Sequence, residues 1–412
     1  MIRSTQSAFV LASILTLSLP AGAGRAGPTE EPGWDEYVAG SPEGFLYRHT
    51  LNSGRNFVLA AFGPEGRSVQ GYGTPARANA VAAWTGSQQP RWSVRLRPQV
   101  DLWYHALAII NVEREELLSR YDPSYAGAIA RAKQDRGVGA TRLDSLADDF
   151  RSEFGSRREF RLLDQLPLYF VDATLEQMLM ALSAVADRQT YRRDKVAPEA
   201  RDGAAIAAQA FSRASLRRVL GRFIEALEQE WQVFYREYWT EVVASDSVGR
   251  SELADFWTTT VAPQLEDILA DRRLDGGTIL VSSAVGPEGR FFIGDPRWAE
   301  DNQVVVSSPP GSGPLEPTYH AVKEICYGIV APALQDLVDD KVETISLRMV
   351  AAVRCGAMVL DRYVPILAAG YRSTMMRAVG ADTATATIGR FEERFALEPE
   401  ILAALRNEID LR

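Results

Sequence analysis

The side chains best suited to chemistry lie between Glu316 and Leu334. This stretch contains one of the chain's three histidines and one of its two cysteines. Residues three and four apart are neighbours on a helix, so a helical conformation gathers four polar side chains on one side: His320, Lys323, Glu324 and Tyr327. A carboxylate inside such a stripe can serve as a general base. The spacing therefore predicts an acid–base or metal-centred site on a helix.

Three short β-like runs precede this helix, at 278–285, 290–293 and 303–307. The turn sequence at 286–289, Gly-Pro-Glu-Gly, predicts that the first two runs form a hairpin. After the helix, 341–366 reads as a second long helix, and shorter helices finish the chain. The sequence thus places the polar helix between a small sheet and a helical C-terminal part.

The rest of the chain predicts an α+β fold that is mainly helical. We expect a β-rich N-terminal part, a helical middle and a short antiparallel sheet followed by a helical core. The longest helical pattern runs over 205–243. The predicted boundaries are a signal peptide at 1–23, a disordered lead at 24–43, a β-rich part at 44–100, a helical region at 101–274 and a sheet with helices at 275–412.

The N-terminus has the pattern of a secretory signal. Arg3 precedes the apolar run Ala8–Leu19, which is too short to span a bilayer, and Ala21–Ala23 fits a cleavage site. We therefore expect a secreted or periplasmic protein without a membrane anchor. The net charge of −9 argues against a nucleic-acid partner, since phosphate binding needs a basic surface. The excess of arginine over lysine is typical of a GC-rich bacterial genome.

The two cysteines, Cys326 and Cys355, both fall in helical patterns. An oxidising compartment favours a disulfide between them, which would join two packed helices. Two buried free thiols are the alternative, because cysteine is often a small core residue.

The order of elements resembles zinc peptidases of the gluzincin type. In that family the active helix carries H-E-x-x-H, and the glutamate between the two histidine ligands is the general base. Lys323–Tyr327 resembles this motif with both histidines replaced. Gly328–Pro332 resembles the continuation x-x-V-x-P that is found in secreted bacterial members. The resemblance covers about 90–380, but only these ten residues match a sharp motif.

The resemblance implies a degenerate zinc site. The ligand positions would be Lys323, Tyr327 and Val350, and only Glu324 keeps its role. A protonated lysine has no lone pair for zinc, and no glutamate occurs between Glu343 and Glu392. We therefore expect a non-catalytic protein that has no cofactor. A peptide or protein partner would bind in a retained cleft along strand 303–307 by strand addition.

Three alternatives remain open at this stage. His320 and Glu324 could bind zinc together, with Asp361, His49 or His105 completing the site of an active peptidase or hydrolase that uses Glu324 as its base. Lys323 could instead pair with a nearby acid in place of the metal, with Tyr327 hydrogen-bonded to it. The chain could also be a structural envelope protein without a cleft.

Overall fold

The computed structural model describes residues 55–56, 92–112, 117–188, 190–270, 272, 274, 276–293, 302–334, 343–382 and 387–410. The predicted signal peptide, the predicted lead and most of the predicted β-rich part lie outside these residues. The described residues all belong to one compact unit. Among the described helices, none is long and apolar enough to cross a membrane.

The first helical layer follows a short strand at 92–95. Its helices are α1 (Pro98–Ile110), α2 (Tyr125–Asp135), α3 (Arg142–Ser156), α4 (Leu175–Ala186), α5 (Arg201–Ala210) and α6 (Ala214–Glu230). Two 3₁₀ segments, Arg158–Asp164 and Leu166–Phe170, connect α3 to α4. Capping boxes begin α3 at Thr141 and α4 at Thr174, because each threonine accepts a backbone hydrogen bond from the residue three positions later.

Two helices of the middle region contain π-helical turns. α6 continues through Trp231–Tyr235, a short α segment and a second π segment, Trp239–Val243. α7 (Ser247–Phe256) leads through the π segment Trp257–Val261 into α8 (Ala262–Ala270). Pro263, which the sequence marks as the site of a kink, is the second residue after that π segment. Such a turn is one way for a helix to accommodate a proline, which lacks a backbone donor.

The sheet is mixed, which corrects the predicted antiparallel sheet. Its strands are β1 (Arg55–Asn56), β2 (Trp92–Arg95), β3 (Gly277–Ser282), β4 (Arg290–Phe292) and β5 (Gln303–Ser307), in the order β1-β4-β5-β3-β2. β2, β3 and β5 run parallel, and β4 is antiparallel to β5. The predicted hairpin is also wrong, because β5 lies between β3 and β4. A turn sequence predicts where the chain bends, but it does not predict which strands form hydrogen bonds with each other.

The sheet separates two apolar cores. Leu280 and Val305 pack with the first helical layer, whereas Ile279, Val304 and Val306 pack with the C-terminal helices. This alternation follows from the period of two along a strand. With both faces covered, the central strands β3 and β5 carry continuous apolar runs, Ile279–Val281 and Val304–Val306, as is typical of buried parallel sheets.

The C-terminal layer consists of α9 (Leu315–Leu334), α10 (Glu343–Tyr363), α11 (Pro365–Ala378), α12 (Ile388–Arg394) and α13 (Pro399–Asp410). α9 packs against β4 and β5 on one side and against α10 and α13 on the other. The predicted α+β class, mainly helical, is therefore confirmed, and the polar helix occupies the centre of this layer.

Candidate functional site

α9 is buried on both sides. Thr318 Oγ1 donates to Pro314 O at 2.7 Å and holds the first turn, and Pro332 falls in the last turn, close to the end of the helix. Of the polar stripe, Lys323 and Glu324 are 0% exposed. The stripe therefore does not face solvent, and charges placed on it require partners inside the protein.

Lys323 has two carboxylate partners. Its Nζ donates to Glu288 Oε2 at 2.9 Å and forms a second ion pair with Glu324, its neighbour in sequence. Tyr327 OH donates to Glu288 Oε1 at 3.5 Å, and its ring centroid lies 5.8 Å from the lysine nitrogen. One buried ammonium thus sits between two buried carboxylates, so Lys323 pairs with nearby acids, as one of the alternatives from the sequence predicts.

Glu288 belongs to the turn before β4, and this turn is firmly docked. Gly286 N donates to Arg120 O at 2.9 Å, and Glu288 N donates to Ser119 O at 2.9 Å. Gly289 is packed so closely that an added Cβ would lie 2.3 Å from Val305 O and 2.9 Å from Glu324 Cγ. Glycine is therefore required here for the close approach of α9 to the sheet.

A second charged group lies on the other side of the same turn. Arg290 is 1% exposed, and its Nη1 donates to Glu288 O at 2.9 Å and to Gly289 O at 2.8 Å. Its Nη2 lies 3.6 Å from Asp164 Oδ1, and Asp164 is also paired with Arg120. The guanidinium therefore connects the turn that carries Glu288 to the first helical layer.

Two tyrosines complete this second group. The guanidinium carbon of Arg290 lies 5.7 Å from the Tyr104 ring centroid and 5.4 Å from that of Tyr121, and Tyr121 OH donates to Asp164 Oδ1 at 2.7 Å. Burial raises the pKa of Tyr104, with Arg290 acting against the shift and Asp164 and Glu324 adding to it. The α9 cluster and the Arg290 group are thus electrostatic neighbours.

Together the two groups are balanced in charge. The cations are Lys323, Arg290 and Arg120, and the carboxylates are Glu324, Glu288 and Asp164. Buried ions are tolerated when each is paired and hydrogen-bonded. Glu324 therefore has a counter-ion within the protein, the neighbouring Lys323.

The residues at the expected ligand positions do not fit zinc. Lys323 and Tyr327 are engaged with Glu288, and Val350 is a half-buried apolar residue of α10. In the part of the chain that the structure describes, no group of three or more His, Cys, Asp or Glu side chains is placed to hold a metal ion. As they are placed, Lys323, Tyr327 and Val350 do not form a zinc ligand set.

The structure does not bring the other proposed ligands to His320. His105 Nε2 lies 3.1 Å from Glu230 Oε1 in the first helical layer, and Asp361 is paired with Arg372, while His49 lies outside the described residues. His320 Nε2 is 3.8 Å from Glu316 Oε1, and its buried Nδ1 has no hydrogen-bond partner among the described residues. Burial lowers the pKa of His320, with Glu316 opposing the shift.

The two cysteines lie on packed helices, as the sequence predicts. Cys326 on α9 and Cys355 on α10 are buried free thiols, and the two side chains interact by a hydrogen bond. Burial raises the pKa of the Cys326 thiol, and Cys355 adds to the shift. The disulfide itself stays a prediction.

Strand 303–307 is not an exposed edge, which corrects the predicted binding mode. β5 pairs with β3 on one side and with β4 on the other, and four of its five residues are buried. It is therefore paired with β3 along its whole length and with β4 over Gln303–Val305, and it is not available as an edge for a peptide strand. The sequence pattern alone could not reveal this, because strand order depends on long-range pairing.

Sequence reasoning also missed the counter-ions. Glu288 reads as part of a turn, and Arg290 reads as the start of a strand. The only available signal was that an unpaired lysine on a buried helix needs an acid nearby.

A scan against protein-family models and searches of curated proteins and solved structures found no match for this chain.

Proposed function

We propose that the chain is a gluzincin-like, secreted or periplasmic protein in which a buried ion-pair centre replaces the zinc site, and that it does not hydrolyse peptides. The observation that carries this proposal is the contact of Lys323 Nζ with Glu288 Oε2 at 2.9 Å, inside a fully buried site. An ammonium in this position occupies the place of a cation and repels zinc.

Glu324 would be a poor catalyst in this setting. It is 0% exposed, and it is paired with Lys323. A glutamate base needs an activated water, and a metal normally supplies that activation. Substrate would also have to reach a side chain that has packing neighbours on the sheet side, including Gly289.

Metal analysis of the purified mature protein tests the proposal. We expect substoichiometric zinc and no peptidase activity above that of the Glu324→Ala variant. His320→Ala is the matched control for the alternative in which His320 and Glu324 bind zinc together. Stoichiometric zinc that is lost in either variant would overturn the proposal and favour an active metal-dependent peptidase.

The internal position of β5 argues against binding of a peptide at that strand, and the second candidate function is a structural role in the envelope. Complementation of a deletion in the source organism separates structure from chemistry. If the role is structural, a Glu324→Gln chain that circular dichroism shows to be folded restores envelope integrity as well as the wild-type chain, because glutamine is close to glutamate in shape. Rescue only by chains that keep Glu324 would indicate catalysis.

A further inference from the structure

Asp101 lies at a junction of three elements. It belongs to the first turn of α1, and Tyr235 OH, in the first π segment after α6, donates to its Oδ2 at 2.8 Å. Ser282 at the end of β3 and Trp239 in the second π segment also form hydrogen bonds with this carboxyl group. One side chain thus joins α1, the continuation of α6 and the sheet.

The carboxyl group of Asp101 is buried without a cationic partner. Asp101 is 1% exposed, and in the part of the chain that the structure describes no lysine or arginine forms an ion pair with it. The titratable groups that face it are His105 on its own helix, Tyr125 on α2, and Tyr235 and Tyr238 in the continuation of α6. Of these, only His105 can become a cation. A carboxylate at this position is therefore a poorly compensated buried charge.

Glu230 lies at the other end of the same hydrogen-bonded chain, and its charge is compensated. Tyr235 OH lies 3.4 Å from Tyr125 OH, and Tyr125 OH lies 3.0 Å from His105 Nδ1. His105 Nε2 in turn lies 3.1 Å from Glu230 Oε1, and Lys133 Nζ lies 2.8 Å from the same oxygen. The network thus contains two buried carboxyl groups, one paired with a lysine and one not.

The protonated form of Asp101 fits the junction. Burial raises the pKa of Asp101, and the hydrogen bonds from Ser282, Tyr235 and Trp239, together with the charge of His105, offset only part of this shift. A protonated carboxyl group is neutral and can donate to a hydroxyl oxygen, because the hydroxyl groups of tyrosine and serine both donate and accept. The indole only donates, and the other carboxyl oxygen can accept from it. Protonation therefore satisfies all three partners without a buried charge.

We propose that Asp101 is a pH-operated latch, which is closed while its carboxyl group is protonated and loosened when that proton passes to solvent. Loss of the proton leaves a buried carboxylate without an ion pair among the described residues, and this favours local opening of the π-helical part of the chain to water. Both partners from this part lie in π segments, which frequently occur at functional sites. The latch involves no residue of α9, so it is independent of the ion-pair centre.

Asp101→Asn isolates this proton, because asparagine is neutral at every pH and close in shape to the protonated acid. The folded protein binds the proton more tightly than the unfolded chain, so stability is lost as the pH rises from the ordinary pKa of 3.8 towards the raised one. Over this range the unfolding equilibrium constant of the wild type, relative to that of the variant, should rise up to about tenfold per pH unit. Urea unfolding should therefore find similar midpoints at about pH 4 and a more stable variant at about pH 8.

Asp135→Asn, at an exposed position of α2, is the matched control and should follow the wild type at both pH values. Hydrogen exchange of the full-length mature protein locates the loosening. Peptides covering 231–243 should exchange faster in the wild type than in Asp101→Asn at about pH 8, and alike at about pH 4. Because both proteins are compared at the same pH, the chemical pH dependence of exchange cancels. Peptides from α13 should exchange alike throughout.

Circular dichroism shows whether Asp101→Asn is folded. If it is not, Tyr235→Phe provides a second test: it removes one donor to the carboxylate, so the loss of stability should continue to higher pH than in the wild type. Three results would each overturn the proposal. They are a folded Asp101→Asn that is less stable than the wild type at about pH 8, equal exchange of 231–243 in both proteins at that pH, and an unchanged pH range in Tyr235→Phe. The first would show that the ionised carboxylate holds the junction.

Discussion

Lys323 Nζ lies 2.9 Å from Glu288 Oε2, and this contact joins the centre of α9 to the turn before β4. The two residues are 35 positions apart in sequence. Both are almost fully buried, so the pair is shielded from solvent. The contribution of this pair to the free energy of unfolding is therefore not comparable with that of the solvent-exposed ion pairs on the surface of this chain.

Replacing Lys323 by methionine should be strongly destabilising. The substitution keeps most of the side-chain volume but leaves Glu288 and Glu324 as buried carboxylates without their shared cation. Breaking a buried pair in this way costs about 3–5 kcal/mol. Urea unfolding of Lys323→Met against the wild type measures the free energy of unfolding.

A surface pair provides the control for this experiment. Arg142 and Glu225 are 47% and 58% exposed, so Arg142→Met should cost less than about 1 kcal/mol. Adding Glu288→Gln to Lys323→Met should recover part of the lost stability, because one uncompensated charge is then removed. Equal costs for Lys323→Met and Arg142→Met would contradict a buried ion-pair centre.

Gly289→Ala should disturb the same site by steric pressure. The new methyl group would lie 2.3 Å from Val305 O, a backbone atom that cannot rotate away. We expect a loss of about 1–3 kcal/mol in the free energy of unfolding, as for other overpacked positions.

Gly139→Ala is the matched control, because an added Cβ there has no neighbour within 4 Å and the backbone needs no positive φ. Its effect should stay within about 0.5 kcal/mol. Thermal and urea unfolding of both variants give the comparison. If Gly289→Ala were as stable as Gly139→Ala, the close packing of α9 on the turn would be incorrect.

The elements around the site could be predicted well from the sequence. α9 was expected over 316–334 and spans Leu315–Leu334, and β5 was expected at 303–307, as observed. These elements carry strong local signals: a helical spacing of apolar residues, and a short apolar run between turns.

The contacts of the site could not be predicted in the same way. Glu288 reaches Lys323 only because β5 lies between β3 and β4. Local sequence patterns do not predict this strand order. The sequence pattern also does not predict that α9 is buried on both sides. A polar stripe normally indicates a solvated helix face, whereas here it packs on a charged turn.

The buried network of the first helical layer predicts a specific pH dependence. Burial alone would raise the pKa of Glu230, but His105 and Lys133 outweigh it and lower this pKa from 4.5 to about 2. The ionised glutamate therefore stabilises the folded state above its unfolded pKa. This contribution is lost as the pH falls from about 4.5 towards about 2.

Glu230→Gln isolates that contribution. Urea midpoints measured at about pH 6 and at about pH 3 should differ less in the variant than in the wild type, because glutamine does not titrate. Glu225→Gln, on an exposed residue of α6, is the control and should follow the wild type. An unchanged pH dependence in Glu230→Gln would show that Glu230 does not have a lowered pKa.

The thiols of Cys326 and Cys355 should be protected in the folded protein. Both are buried, and the raised pKa of Cys326 leaves little reactive thiolate at neutral pH. Reduced protein treated with iodoacetamide should therefore gain no adduct when native and two adducts in guanidinium, as mass spectrometry can show. Rapid native alkylation would contradict the packing of α9 against α10.

For protein exported through an oxidising compartment, the predicted disulfide would leave no alkylatable thiol in guanidinium without reductant, whereas two adducts would show that the pair stays reduced.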